Sequence, residues 1–504
     1  MASNLAHPAT KHDEHRLRRE FSLWTAFAFA FAFISPIVAL YAIFGLAIST
    51  AGPAFWWNFP LVFGGQLLVA LVFAELVSRW PIEGSIYQWS RRLVGDGYGW
   101  FAGWAYLWTL IIAMATVALG AAGFVINIIG SDGATEAQRV GIACVILVLG
   151  TVANLVGRTV LKVLMTASIV AEVIGSVGLA VVLLLFHRVQ PLSVIFEGAS
   201  EREPGTYLAL SGPFLLAMAF VGWSFVGFES AGAIAEEVKE PRRNLPRAII
   251  ASLTFIAGVV MISSLAIILA IPDLDAVLSG EDPDPVYSTL VSQLGVGIAN
   301  PVQVLFVIGF LASFLALQTS ASRVIWSYSR DRALPASTLL SRLSAQQKQP
   351  VVAILVTALV GVTLFLLSLF ATDIYTIMVF FTSGGFYIAF LFPLLGAVWA
   401  RVTGRWVPGP WTLGRAGPWI LGLAVVWTLF QFLNIAWPRA LNDERWLDWA
   451  FWIMAGVLAV VGSAIFATVR KAMTTWSDDE LDEGDHRPSS DSDAGAAPRR
   501  PAAP

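Results

Sequence analysis

Runs of about twenty predominantly apolar residues, the length an α-helix needs to cross the roughly 30 Å hydrocarbon core of a bilayer, recur along almost the whole of this chain. They fall at 23–49, 55–78, 99–129, 139–157, 163–187, 212–235, 247–271, 301–322, 351–371, 374–400, 417–437 and 446–469, with Asp373 alone separating runs nine and ten. No other feature constrains the fold as strongly. Backbone groups in lipid must be satisfied inside the protein, which leaves helices or closed barrels, and runs this long are helices. Composition agrees, since 57% hydrophobic residues, 13% charged residues and 20 tryptophans exceed what a water-soluble core of 504 residues hides. The chain therefore reads as an all-α integral membrane protein with twelve transmembrane helices. The first run follows twenty polar residues and outlasts the apolar core of a signal peptide, so a retained helix is expected.

Lysine and arginine set the orientation. With both termini cytoplasmic, only Arg139, Arg188, Arg202, Arg439 and Arg445 of the 31 basic residues fall outside, an asymmetry that fits an even number of spans. The outer loop 272–285 carries only acids: Asp273, Asp275, Glu281, Asp282 and Asp284. The net charge of −3 thus reflects topology, and no nucleic-acid partner is expected. Cys144 is single, which excludes an intramolecular disulfide. Three regions follow: a cytoplasmic tail 1–20, a twelve-helix domain 21–470, and a C-terminal tail 471–504. That last tail contains "SDDELDEGDHRPSSDSDAGAAPRRPAAP", too poor in apolar residues to fold, so it is expected to be disordered and cytoplasmic.

Chemistry inside the membrane finds few candidates. The histidines are His7, His12, His15, His187 and His486, none at the middle of a run, and no aspartate lies deep in one. The zinc-protease motif H-E-x-x-H and the phosphate-binding loop G-x-x-x-x-G-K-[ST] are both absent. An enzyme is disfavoured, no cofactor or metal is expected, and gradient-driven transport is the reading left.

The first run, "FAFAFAFISPIVALYAIFG" at 27–45, carries Ser35-Pro36 at its centre, and a proline there must kink or stop the helix. In many transporters a broken helix at the bilayer midplane frees amides and carbonyls to hold the solute. A partner break is expected in the other half. Run six, "LLAMAFVGWSFVGFESAGAIAEEV" at 215–238, has Gly222 and Gly227 around Trp223, with Glu229 just beyond. Runs one and six are five apart, as two inverted five-helix repeats require. The alternative is a proline kink in one helix and a glycine pair that lets helices pack closely in the other. Glu172 is a second intramembrane acid, nine residues into run five. Each acid must be paired, wetted or protonated, or else serve as a neutral packing residue bonded to a neighbouring helix. Glu75, Arg79, Arg91 and Arg92, with Glu236, Glu237, Lys239, Arg242 and Arg243, make either an inner gate of ion pairs or helix-end charges reaching for water.

The segments "FVGFESAGAIAEEVKEPRRNLPRAI" (225–249), "AELVSRWPIEGSIYQWSRRLVGDGYGWFAGW" (74–104) and "SASRVIWSYSRDRALP" (320–335) resemble the amino acid, polyamine and organocation (APC) superfamily of permeases over about 21–470. "FSLWTAFAFAFAFISPIVALY" is more similar to the amino acid/choline branch than to members whose first break reads G-S-G-I-F. The resemblance implies a LeuT-like fold: a five-plus-five inverted repeat with helices one and six broken and two helices left over. It also implies a substrate carboxylate on the amides of Ile37, Val38 and Ala39, with the Ser35 hydroxyl nearby. Carbonyls around Val221, Gly222 and Ser224 would then face an amine. Trp223, six residues before Glu229, matches an aromatic lid; the alternative is one more packing tryptophan. Many relatives carry a sodium-mimicking lysine fifteen residues after the glycine that Gly157 matches. Here that position is Glu172, which removes the fixed cation and implies a proton-binding carboxylate in its place; the alternative is a protonated packing residue bonded to a neighbouring helix. The function implied is proton-coupled transport of an amino acid or related amine across the plasma membrane. The rivals are an exchanger without a driving ion and a non-transporting sensor on the same fold.

Overall fold

A computed structural model describes residues 21–130, 134–198, 206–344, 346, 349–369, 374–439 and 447–474. The expected tail 1–20, residues 475–504 of the expected C-terminal tail, and Asp373 between spans nine and ten lie outside the described residues. Among the described residues, twelve helices are long and apolar enough to cross a membrane: Leu23–Tyr41, Pro53–Arg79, Asp96–Ile129, Glu136–Val156, Thr159–Phe186, Pro213–Glu237, Pro241–Ala270, Val296–Arg330, Val351–Ser368, Tyr375–Val402, Gly414–Ala436 and Ala450–Val469. They are numbered here as spans one to twelve. The only β-type pairing among the described residues is a single bridge between Phe21 and Val238.

Local chemistry marks the helix ends. The hydroxyl of Ser22 accepts from the amide of Thr25 at 3.3 Å ahead of span one. Thr135 and Gln138 form a reciprocal capping box at span four. Gly130, with φ 65°, closes span three in the left-handed conformation that glycine adopts without strain.

Two ends differ most from the runs that hydropathy predicts. Span one stops at Tyr41, and Phe44–Ala51 forms a separate helix, because the chain turns at Ala42–Ile43. Span eight runs eight residues beyond 322, to Arg330, because its last two turns are buried against other elements and their arginines meet carboxylates there. A polar sequence reads as loop by hydropathy alone, whereas paired charges allow it to stay helical.

Burial separates an inner bundle from an outer shell. Span six is 89% buried over its most apolar window and span twelve only 11%. The outer faces carry exposed Leu359, Trp419 and Val460, the apolar surface that lipid tails cover. Spans one, three, six, eight and ten thus form the centre, and the polar groups of the two broken helices face one another there.

Candidate substrate site between two broken helices

Span one leaves helical geometry at Ser35, whose φ of 50° and ψ of 113° no helix contains. A second short helix, Pro36–Tyr41, starts at once. Proline suits a first helical position, since the donor it lacks would be unpaired there anyway. The amides that follow are engaged from inside the protein. Val38 N donates to Ser35 Oγ at 3.1 Å, and Ala39 N donates to Ser35 O at 2.7 Å. Ile37 N donates to Glu172 Oε2 at 2.9 Å, and Ser35 Oγ donates to the other oxygen of that carboxylate. Glu172 comes from span five and is fully buried, as is Ser35. Directly after it, Val173–Gly178 widens into a π-type turn, a local defect that re-aims the neighbouring side chains.

Span six breaks differently. The α-helix Pro213–Val221 tightens into a 3-10 turn at Gly222–Phe225, extends at Val226, and restarts as the 3-10 segment Phe228–Glu237. Gly227 has φ 104°, and a Cβ there would lie 2.3 Å from the ring of Phe33, so both backbone geometry and the approach of span one demand glycine. Glu229 folds back onto this break. Its Oε2 accepts from Gly227 N at 3.0 Å, and its Oε1 accepts from the hydroxyl of Tyr106 in span three at 3.0 Å. Ser224 Oγ donates to Ala39 O at 2.5 Å and ties the two breaks together. The carbonyl of Gly222 accepts from Tyr387 Oη at 3.5 Å.

A small cavity of about 20 Å³ lies between the breaks. Its walls include Phe33, Ile34 and Val38 from span one, Trp223 and Val226 from span six, and Phe386 from span ten. Val38 and Trp223 therefore face the same space. Ser35, Pro36, Ile37, Ala39, Val221, Gly222 and Ser224 belong to the buried backbone around it, and the carboxylates of Glu172 and Glu229 lie on the two breaks. The lining is otherwise apolar and aromatic, and Ser313 in it donates its hydroxyl to Phe33 O at 2.8 Å.

The charged residues read as a gate divide into two groups. Glu236 meets Arg330 at 3.1 Å, and Glu237 meets Arg323 at 3.1 Å in a pair that is essentially without solvent contact. The backbone of Phe21 joins this end to span six, donating to Glu237 O at 2.9 Å and accepting from Lys239 N at 2.8 Å. Glu75 instead turns toward span ten, where Arg401 meets it at 2.6 Å and Thr412 Oγ1 donates to it at 2.9 Å. Arg79 ends span two, its backbone against Gly409. Arg91 pairs with Asp331 at 2.6 Å and with Asp96 at 2.5 Å.

The sequence alone assigns no role to Arg323, Arg330, Asp331, Arg401 or Tyr106. A signal did exist for two of them: Arg323 and Arg330 are seven residues apart, hence on one helix face, within a stretch already singled out. Tyr106 carried no signal, since it is an ordinary residue in an apolar run.

The family model for amino acid permeases matches residues 21–463. The chain belongs to the amino acid permease family. The permease is 26% identical over 429 residues to the amino-acid permease BAT1 homolog of Oryza sativa, covering 80% of this chain and 81% of that protein. It is 25% identical over 510 residues to an uncharacterized amino-acid permease of Schizosaccharomyces pombe, covering 96% and 92%. It is also 25% identical over 311 residues to the branched-chain amino acid permease BcaP of Lactococcus lactis, covering 58% and 64%. The permease is thus a multi-pass membrane transporter and not an enzyme.

Proposed function

We propose that the permease is a secondary active transporter that moves an amino acid with an apolar side chain across the plasma membrane by alternating access, coupled to protons. The observation that carries this reading is the pair of backbone breaks facing one cavity, each with a buried carboxylate on a freed amide. Such unwound segments are tolerated at membrane depth only where they serve a cavity or are buried in protein.

In this reading the solute's amine meets carbonyls around Val221, Gly222 and Ser224. Its carboxylate takes the amide of Ile37 and the Ser35 hydroxyl once Glu172 lets go, with the amides of Val38 and Ala39, which donate to Ser35 Oγ and Ser35 O, completing the same helix start. The side chain rests against Phe33 and Phe386 beneath Trp223, and a relative named for branched-chain amino acids supports that match of shape and polarity. A proton on Glu172 removes the charge that Ile37 N and Ser35 Oγ hold, so proton and solute load together; Glu229 is the second candidate carrier. Spans one, two, six and seven rock against the rest, as two inverted five-helix repeats with spans eleven and twelve outside them. The distribution of lysine and arginine supports cytoplasmic termini, which makes the end holding Arg323 and Arg330 the inner gate.

The test is uptake by purified protein in liposomes over a panel of amino acids, polyamines and choline. Apolar amino acids are expected to accumulate only when the outside is acidic. Uptake that needs an internal counter-solute, whatever the pH gradient, reassigns the protein to exchange. Binding without flux reassigns it to sensing.

A further inference from the structure

Between spans two and three the chain dips back into the bundle, and Glu83 on that loop is completely buried. Its backbone is held on both sides. Glu83 N donates to Glu236 Oε1 at 3.3 Å, and Glu83 O accepts from Ser327 Oγ at 3.0 Å. The next two residues are in unusual conformations, Gly84 at φ 102° and Ser85 at φ 40°, and a Cβ on Gly84 would lie 2.7 Å from Ser327 Oγ. The loop therefore cannot swing the side chain out to water without dismantling its contacts. Yet neither carboxylate oxygen of Glu83 has a hydrogen-bond partner among the described residues.

The charges around it do not balance. Glu236 and Glu237 approach from span six, Arg323 and Arg330 from span eight. Each arginine meets one of those glutamates at 3.1 Å, so Glu83 is a third carboxylate against two committed guanidinium groups. Farther along, Asp331 and Arg91 meet each other at 2.6 Å, and Arg92 donates to Gln88 Oε1 at 2.6 Å. A buried carboxylate without donors is stable only when neutral.

We propose that Glu83 is a proton-binding site of this gate, occupied while the Glu236–Arg330 and Glu237–Arg323 pairs are assembled and vacated when they part. Burial, reinforced by the charges of Glu237 and Glu236 and opposed by Arg323 and Arg330, holds the Glu83 carboxyl well above the usual glutamate range. The sign follows. A group whose value is raised in the closed form favours that form at low pH, and the preference fades as pH climbs through the raised value. Between the solvated and the raised value, the closed-to-open ratio falls by up to about tenfold per pH unit. The site is separate from the carboxylates on the two breaks; it rests on the transport reading only in requiring that this end opens.

Ser320 lies one helical turn before Arg323 and is buried, with no partner for its hydroxyl among the described residues, so a cysteine there reports opening. In Cys144→Ala, Ser320→Cys protein without substrate, reaction with a charged thiol reagent is followed against pH, with and without Glu83→Gln. The expected result is a rate that climbs with pH up to about tenfold per unit more steeply in the parent than in Glu83→Gln, where only thiol ionisation remains. Equal slopes, or no labelling at any pH, overturn the proposal. Glutamine matches a neutral carboxyl in shape, so Glu83→Gln is expected to fold with an unchanged or higher Tm. A variant that does not fold also overturns the proposal, because it shows that the negative charge is required. No substrate is present, so failure here leaves the transport reading standing, and failure of uptake leaves this measurement intact.

Discussion

At the first break the carboxylate that accepts from the freed amide arrives from another helix, 135 residues along the chain; at the second it comes from two residues away. Glu229 thus travels with its own break and keeps its bond to Gly227 N through any rigid movement of span six. Glu172 cannot, because Ile37 and Ser35 lie on span one and Glu172 on span five. Any displacement of span one from span five must give up both bonds. Hydrogen bonds to a charged group contribute about 1.5–3 kcal/mol each, so this contact weighs heavily in which conformation is populated. The bond to the freed amide is therefore local at one break and a link between two moving parts at the other, and among the described residues only the Tyr106 hydroxyl of span three ties Glu229 to a second helix.

The largest effect is expected from Pro36→Ala. An alanine restores a donor and lifts the steric block, and Ser35 leaves a strained left-handed conformation, which favours a helix continuous through the break. Uptake should fall at least about tenfold while expression and folding persist, since helix closure erases the freed amides; the tenfold figure is about 1.4 kcal/mol. Normal uptake by well-expressed protein would mean that the proline only bends the helix.

Next come Glu172→Gln and Glu229→Gln, compared side by side. Each keeps size and hydrogen bonding but cannot release a proton. The variant at the coupling carboxylate should still exchange solute between equal concentrations, yet lose accumulation driven by a pH gradient. The geometry favours Glu172 for that phenotype, because both of its bonds part when span one moves from span five, whereas Glu229 keeps its bond to Gly227 N. Accumulation that survives in both variants would remove proton coupling and leave exchange.

A smaller, graded effect is expected at Trp223, whose ring faces the cavity from span six. Trp223→Leu should weaken apparent affinity by about tenfold or more, and Trp223→Phe should be mild because an aromatic face remains. Matching affinities for the two variants would assign the ring to packing alone.

The smallest effect belongs to Tyr106→Phe, which removes one donor from Glu229 and nothing from Glu172. A loss of about 1 kcal/mol, or roughly fivefold in affinity or turnover, is expected. Ser35→Ala should cost more, since Ser35 Oγ serves both Glu172 and Val38 N. A Tyr106→Phe effect as large as that of Ser35→Ala would erase the distinction between the two breaks.

Primary sequence sets the membrane-spanning class, because a run of apolar residues has one stable solution in lipid and hydropathy reads it directly. It also determined where helices one and six fail, since Pro36 and Gly227 act through their own backbones: a missing donor in one case, a positive φ in the other. What it left open was every contact made across the bundle. That Glu172 reaches Ile37 rather than lipid, that Tyr106 meets Glu229, and that Arg323 and Arg330 turn a polar stretch into the last turns of span eight depend on which helices become neighbours. Hydropathy carries no information about neighbours. A carboxylate or guanidinium is costly to bury alone and stable once partnered, so the meaning of each charged residue was decided only by the tertiary structure that supplied, or for Glu83 withheld, its partner.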